Sequence, residues 1–282
     1  MIMKPFLIRE PKTNELYEAL IVLYRSFGRL IPSDINDQGK LLIDLINSKI
    51  AKFLIAEKNK KVIGLGATFF FEDVCSIGYM GILPEVRRNG VGTAIFSNLL
   101  NGAKIGGCKT FLLYASKLGE PIYHKSGFRS NYGTTVYDLP CKSLETQNLD
   151  ERVKKIENFP DWASEIDKAA MGFDRREFLK IKLKHGSKLI VADKKGYALI
   201  SGQRLGPLIA KNLHTAVDLI KMGISLGANH IIVPKHSKFS YSLFDLIKLT
   251  ERGDEMNLKM IYGKNILQKL DYLYALGTYA KG

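Results

Sequence analysis

The chain has 282 residues, of which 46% are hydrophobic and 25% are charged, and its formal net charge is +14. This composition is typical of a globular protein large enough for two domains, and it excludes a disordered chain. The basic excess is spread over both halves with no basic arm, and no nucleic-acid-binding motif accompanies it. Nucleic-acid binding is therefore the least favoured function.

The cysteines and histidines show no metal-binding pattern. Cys75, Cys108 and Cys141 stand far apart without a Cys-x-x-Cys pair, and the histidines lack metal-ligand spacing, so we expect no metal. The odd number of cysteines favours a reducing compartment. The longest apolar run, residues 62–71, is too short to span a bilayer, which takes about 20 residues. We therefore expect a cytoplasmic protein without membrane contact.

Apolar spacing predicts alternating helices and strands in the first half of the chain. Helical spacing recurs in long segments, and shorter apolar runs between turn residues predict strands. The predicted helices span 13–27, 34–50, 91–105 and 121–125, and the predicted strands span 6–9, 53–57, 62–71, 77–83, 110–115 and 134–139.

A polar stretch at 141–150 is typical of a linker, and it divides the sequence into domains at 1–140 and 151–282. The second half repeats the order of the first: helices, a hairpin, a strand leading into a helix, and then a strand, a helix and a strand. Its predicted helices span 161–170, 174–185, 213–226 and 239–249, and its strands span 188–192, 197–201, 205–210, 230–233 and 257–262.

The most informative segment is the loop between the strand at 77–83 and the helix at 91–105. It holds two arginines and the pair Gly90 and Gly92. Glycine lets the backbone approach a ligand closely, and the first N–H groups of a helix have no helical acceptor. Because these groups carry the positive end of the helix dipole, the loop predicts a phosphate or pyrophosphate site.

Two common nucleotide motifs do not fit this loop. A dinucleotide fingerprint needs a third glycine where Ile95 stands, and a phosphate-binding Walker loop needs Gly-Lys followed by Ser or Thr, which is absent. What the sequence has is Pro84-x-x-Arg87-x-x-Gly90-x-Gly92. This pattern resembles motif A of the GNAT superfamily of N-acetyltransferases, Gln/Arg-x-x-Gly-x-Gly/Ala.

A second signal lies about thirty residues downstream. The GNAT motif B ends in Tyr-x-x-x-Gly-Phe, and here Tyr123, Gly127 and Phe128 match it in the expected order. The resemblance covers roughly residues 5–140. The segments 115–123, 172–175 and 272–277 are similar to a subgroup with a second, degenerate GNAT-like domain.

The resemblance implies a mixed, mostly antiparallel sheet flanked by helices, occurring in tandem. In the second half the segment 206–212 stands where the first half has its glycine loop. It contains one glycine and no arginine, so we expect no cofactor to bind there. We expect the second domain to cover the acceptor side or to mediate a homodimer.

The resemblance also implies acetyl-CoA as cosubstrate. Its pyrophosphate is expected on the N–H groups of residues 88–93, and its pantetheine arm on the strand backbone near Ile82. Tyr123 is expected to protonate the leaving thiolate. Ser116 stands where relatives often place an asparagine against the cofactor. The predicted cofactor-binding residues are Gly81, Ile82, Arg87, Arg88, Asn89, Gly90, Val91, Gly92, Thr93 and Ser116.

The expected function is therefore transfer of an acetyl group from acetyl-CoA to a primary amine, on a small molecule or a protein, by direct attack in a ternary complex. Many relatives carry an acidic general base on the strand before the loop, whereas residues 76–83 contain no carboxylate. Glu72 and Asp73 at the preceding turn could act only through water. The missing base favours the alternative of a non-catalytic CoA-binding or sensing module.

Overall fold

The computed structural model describes residues 6–140, 151–235, 243, 246–252 and 257–279. Contacts within the chain define two compact units, Met1–Leu113 and Tyr114–Gly282. The predicted linker at 141–150 lies outside the described residues, and so does most of the predicted helix at 239–249. The predicted domain limits at 140 and 150 stay a prediction.

The helices are α1 (Leu16–Ser26), α2 (Ile35–Asn47), α3 (Val91–Ile105), α4 (Glu120–Lys125), α5 (Asp161–Met171), α6 (Arg176–Lys184) and α7 (Leu213–Ser225). The strands of the first half are β1 (Leu7–Arg9), β2 (Ala51–Lys58), β3 (Lys61–Phe71), β4 (Val74–Ile82), β5 (Thr110–Ala115) and β6 (Arg129–Asp138). Those that follow are β7 (Val153–Ile156), β8 (Lys188–Ala192), β9 (Gly196–Ser201), β10 (Arg204–Ala210), β11 (His230–Lys235), β12 (Thr250–Glu251), β13 (Asn257–Gly263) and β14 (Leu273–Ala275).

The first unit contains a sheet in the order β1-β2-β3-β4-β5. All neighbouring pairs are antiparallel except β4 and β5, which run parallel. Helices α1 and α3 cover opposite faces of β3 and β4. A Cβ on Gly81 would lie 3.2 Å from the Cα of Leu23 in α1, whereas a Cβ on Gly66 would lie 2.7 Å from the side chain of Ile95 in α3. These two glycines therefore let helices approach the sheet closely.

The second unit contains strands in the order β13-β6-β11-β10-β9-β8-β7. Here β10 and β11 form the parallel pair, and the other neighbours along this order are antiparallel. Strand β6 pairs with β11 on one side and with β13 and β12 on the other. Helix α7 packs against β8, β9 and β10.

The second unit also buries charged groups. Arg175 forms two hydrogen bonds of 2.9 Å to the Asp167 carboxylate, and the phenol of Tyr197 donates to the same carboxylate. Lys259 donates to Gln268 Oε1 at 2.9 Å, and burial lowers the pKa of Lys259 to about 7. Pairing and hydrogen bonding offset the cost of removing these charges from water.

Within the described ranges the predicted element types agree with the structure, and the limits of α3 and β5 match the sequence prediction. Three short strands, β7, β12 and β14, were not predicted. β7 carries two lysines that break its apolar run, and β12 and β14 have only two and three residues, so none of them produces a clear period.

Cys75 and Cys108 form a disulfide, with a Cα–Cα distance of 6.2 Å. Their separation in sequence gave no sign of this pairing, because β4 and the segment after α3 meet only in the folded sheet. Disulfides are rare in reducing compartments, except in the intracellular proteins of hyperthermophiles, so the bridge does not decide the compartment. The cytoplasmic location stays a prediction.

Reduction of the bridge is expected to lower the free energy of unfolding by about 4 kcal/mol, because the crosslinked residues are 33 positions apart. Urea unfolding with and without a phosphine reductant measures this. The double variant Cys75→Ala/Cys108→Ala should lose sensitivity to the reductant, and Cys141→Ser should keep it. Identical unfolding curves for the native protein in both conditions would contradict the prediction.

Candidate functional site

The parallel pairing of β4 and β5 ends early. The register runs from Val74 opposite Thr110 to Ile77 opposite Leu113. Beyond Ile77, among the described residues, β4 continues to Ile82 with β3 as its only strand partner. On the side away from β3, this part of β4 therefore has backbone donors and acceptors that no described strand pairs with.

A β-bulge lies on the part of β4 that pairs with β3 but not with β5. Gly78 pairs with Ala67 and Gly81 pairs with Leu65, so Tyr79 and Met80 together face Gly66. Tyr79 has a φ of 54°, which is rare for a bulky residue. Its ring packs against Phe53 at 5.5 Å between centroids, which holds this backbone in place. Bulges redirect backbone groups, and they are frequent beside active sites.

The residue types at the bulge do not predict it, because neither Tyr79 nor Met80 favours one. The available signal was the pair of glycines around them, Gly78 and Gly81, within a strand.

The glycine loop forms a nest of backbone N–H groups. β4 ends at Ile82, a single 3-10 turn follows at Pro84–Val86, and α3 starts at Val91. Arg88 and Gly90 adopt left-handed φ values of 63° and 77°. Such turns aim successive N–H groups at one point. The first helical bond of α3 runs from Ala94 N–H to Gly90 O at 2.9 Å.

The N–H groups of residues 88–93 precede that first bond, and no acceptor for them is found in the described part of the chain. Arg88, Asn89, Gly90 and Thr93 are exposed, Gly92 is half-buried, and Val91 is buried beneath the turn. The predicted cofactor contacts in this loop thus form one exposed cluster of donors at the N-terminus of α3, where the helix dipole is positive.

Gly90 and Gly92 serve different purposes. The left-handed φ of Gly90 favours glycine, and a Cβ there would meet nothing within 4 Å. Gly92 has an ordinary helical backbone, and its Cβ would lie 3.4 Å from Ile82 Cγ1, an ordinary contact. The fold therefore does not require glycine at position 92, and the missing side chain leaves the first turn of α3 open.

Arg87 uses its guanidinium within the protein. Nε donates to the carbonyl of Ile82 at 3.2 Å, and one terminal nitrogen donates to the carbonyl of Ser26 at the end of α1. The side chain therefore joins the end of β4 to the end of α1. Nearby, Arg25 and Glu85 approach within 3.8 Å, but both are largely exposed, so this pair contributes little.

Two of the predicted site residues belong to the second unit: Tyr123, which lies on α4, and Ser116. The Tyr123 side chain is buried, with the ring centroid 6.3 Å from that of Phe128. Gly119 leaves room for it, because a Cβ there would lie 2.9 Å from the ring. Burial raises the pKa of Tyr123 to about 12. Ser116 accepts the N–H of Gly119 at 2.9 Å through its carbonyl oxygen and so helps to start α4.

The carboxylates considered as bases lie at the wrong end of the strand. Glu72 and Asp73 precede β4, and Asp73 forms an exposed ion pair of 3.6 Å with Lys109. About five residues of extended strand, roughly 16 Å, separate this turn from the bulge at Tyr79. β4 itself contains no carboxylate.

Two absences hold for the described residues. No group of three or more His, Cys, Asp or Glu side chains there is arranged to hold a metal ion. None of the described helices has the length and apolar character needed to cross a bilayer.

Replacing Arg87 by alanine is expected to lower the free energy of unfolding by about 1 kcal/mol, because two charge-assisted bonds to backbone carbonyls disappear. Arg88→Ala is the matched control. It removes the neighbouring charge, and no hydrogen bond of that side chain is found within the described ranges. Chemical unfolding without cofactor measures both, and equal losses would show that the two contacts of Arg87 contribute nothing.

Comparisons with known proteins place this geometry in a family. A family model described as an acetyltransferase (GNAT) domain matches residues 49–130, and another with the same description matches 163–275. A search of curated proteins found no match.

Solved structures agree with these matches. A candidate acetyltransferase from Pyrococcus horikoshii has 26% identity and a TM-score of 0.91, covering 100% of this chain and 98% of that chain. A tandem GNAT protein from the clavulanic acid biosynthesis pathway has 10% identity and a TM-score of 0.64, with 92% and 98% covered.

A GCN5-related N-acetyltransferase from Anabaena variabilis has 15% identity and a TM-score of 0.61, with 93% of this chain and 73% of that chain covered. At such identities, the last two similarities concern the fold alone. The two domain matches and the resemblance along the whole Pyrococcus horikoshii chain lead to one conclusion: this chain belongs to the GNAT superfamily, and it carries two GNAT-like domains.

Proposed function

We propose that the protein transfers an acetyl group from acetyl-CoA to a primary amine by direct attack in a ternary complex. Membership of the GNAT superfamily supports acetyltransferase activity in general. The nest at residues 88–93 carries the more specific proposal, because it presents exposed backbone donors at the N-terminus of a helix directly after a strand with a free edge.

The loop supplies what a pyrophosphate needs. Backbone N–H groups of Arg88, Asn89, Gly90, Val91, Gly92 and Thr93 donate to its oxygens, and the Arg88 guanidinium adds a positive charge. Arg87 contributes through its position, since its side chain holds the carbonyls of Ile82 and Ser26. The half-buried Gly92 leaves space for the phosphates to approach the helix.

The part of β4 that does not pair with β5 binds the rest of the cosubstrate. Gly81 and Ile82 lie on the free strand edge, where backbone groups pair with the amides of a pantetheine arm as they would with a neighbouring strand. At the bulge a backbone N–H donates to the thioester carbonyl and stabilises the oxyanion that develops during attack.

We assign Tyr123 as the donor to the leaving sulfur. As the neutral amine attacks, a C–N bond forms and the C–S bond breaks, the sulfur leaves with the electron pair, and the amine nitrogen gives up one proton to water. A phenol whose pKa is raised to about 12 stays protonated at neutral pH. A thiol has a pKa of about 8.5, so complete proton transfer from this phenol would be uphill by roughly 5 kcal/mol. Tyr123 therefore acts chiefly as a hydrogen-bond donor that stabilises the thiolate.

Tyr123→Phe is expected to lower kcat at least about tenfold while the Kd for CoA changes less than about twofold, because only the transition state loses a hydrogen bond. Burial raises the pKa of this phenol, so it is protonated below about pH 12. Between pH 7 and 10 the native rate should therefore follow deprotonation of the acceptor amine alone.

Thiol release from acetyl-CoA, measured over a panel of amines, polyamines, amino acids and peptide N-termini, provides the readout. Tyr137→Phe is a control for loss of a buried phenol. An unchanged kcat for Tyr123→Phe would remove the assigned role.

Gly92→Glu is expected to weaken CoA binding at least about 30-fold, because it places a carboxylate beside the pyrophosphate. The fold should tolerate it, since the Cβ meets only Ile82 at 3.4 Å and an acidic residue suits the first turn of a helix. Gly102→Glu on the same helix has nothing within 4 Å of its Cβ and is the matched control. Calorimetric titration measures both variants, and equal affinities would contradict the pyrophosphate assignment.

The absence of a carboxylate on β4 favours one alternative, a CoA-binding module without catalysis. Such a protein would bind CoA as tightly as an enzyme and would lose that binding in Gly92→Glu. It would release no thiol with any amine, and Tyr123→Phe would then have no effect on turnover. The amine panel therefore separates the two functions.

A further inference from the structure

The second unit repeats the strand arrangement of the cofactor site. β10 and β11 are parallel neighbours, and α7 connects them, as α3 connects β4 and β5. Their pairing is limited to Arg204 opposite His230 and Leu205 opposite Ile231. Beyond these residues the two strands separate, which leaves a gap of the kind that borders β4.

This gap is filled by the chain itself. β14 pairs antiparallel with β10, with Leu208 opposite Ala275 and Ile209 opposite Leu273. On the other side Leu276 forms an antiparallel bridge with Ile232, and its N–H donates to the Ile232 carbonyl at 2.8 Å. Residues 273–276, which we call the C-terminal insert, therefore satisfy backbone groups of both separated strands.

The packing around the insert leaves no space for another ligand. Leu273, Tyr274, Ala275 and Leu276 are each at most 4% exposed. Tyr274 and Ala275 belong to the same apolar core as Leu208 and Ile231. A pantetheine arm could enter only by displacing this part of the core.

Gly206 shows how closely the insert fits. A Cβ on Gly206 would lie 2.1 Å from the carbonyl oxygen of Leu276. Only glycine leaves room for that carbonyl. The glycine of the second half therefore accommodates the chain's own backbone, and α7 begins with Asn212, whose side chain accepts the Thr215 N–H at 2.9 Å. This cap occupies one of the first helical donors.

We propose that the C-terminal insert is a built-in occupant of the second domain's strand gap, which closes that domain to acyl-CoA. The insert pairs as a β-strand and so makes the hydrogen bonds that a pantetheine arm would make. Its side chains fill the apolar space between the separated strands. The protein consequently binds one CoA per chain. This inference rests on the proposed function in one respect only, namely that acyl-CoA is the ligand excluded from the gap.

Hydrogen exchange of the full-length protein tests the insert without any cofactor. The amides of residues 274–276 are expected to exchange at least about 1,000-fold more slowly than in an unfolded chain, at a rate similar to that of β9. Addition of CoA should leave this protection unchanged. Fast exchange without CoA, or loss of protection when CoA is added, would overturn the proposal.

Titration with CoA tests the closure. The native chain is expected to bind one equivalent, and Gly92→Glu, whose first site is weakened at least about 30-fold, should be less than about one-tenth saturated at three times the native Kd. Two equivalents in the native chain, of which Gly92→Glu retains one, would show an open second gap. One equivalent in both would instead contradict the pyrophosphate assignment. If the native chain binds no CoA, the proposed function fails, and hydrogen exchange alone decides whether the insert fills the gap.

A substitution at the contact adds a third readout. Gly206→Ala should accelerate exchange of residues 274–276 at least tenfold relative to Gly133→Ala, where a Cβ meets nothing within 4 Å. Equal exchange in the two variants would overturn the close fit. If Gly206→Ala fails to fold, the native exchange and titration results decide the matter.

Discussion

The structure depends on how a separated pair of parallel strands satisfies its backbone. Parallel strands that part after a few residues leave N–H and C=O groups without a neighbour, and such groups need partners. Both units contain this feature, after Ile77 in the first and after Leu205 in the second. In the second, the C-terminal insert supplies the partners. In the first, β4 keeps a free edge beside a nest of donors, which is the basis for placing a ligand there.

Three glycines differ in line with this contrast between the filled gap of the second unit and the free strand edge of the first. At Gly206 the carbonyl of Leu276 occupies the space that a Cβ would need, so glycine there serves the fold. At Gly90 the left-handed backbone favours glycine, whereas at Gly92 neither the backbone conformation nor the space around the Cβ position does. Because Gly92 lies in the first turn of α3 beside the nest, its missing side chain leaves that turn open to a ligand. Glycine thus serves the fold in one domain, and in the other we propose that it serves binding.

Sequence reasoning succeeded where the signal is local. The limits of α3 follow from apolar spacing with glycine at both ends, and the predicted order of strand, glycine loop and helix is the order that the structure has. The anion site on this loop stays a prediction. Sequence reasoning failed where distant segments meet. The Cys75–Cys108 bridge and the pairing of β14 with β10 depend on contacts between remote positions. The bulge at Tyr79 was missed because the register of β3 against β4 determines it. The side chain of Arg87 reaches α1, so its partner could not be identified from the motif alone.

The first unit also fixes the nest before any ligand arrives. At one end of β4 and α3 the Cys75–Cys108 bridge joins the segments covalently, and the register from Val74 to Ile77 aligns the strands. At the other end Arg87 holds β4 to α1. A site held at both ends loses little conformational entropy on binding, so more of the hydrogen-bond energy contributes to affinity. This fixed arrangement supports the proposal that backbone donors bind a pyrophosphate here, although each bond alone contributes little.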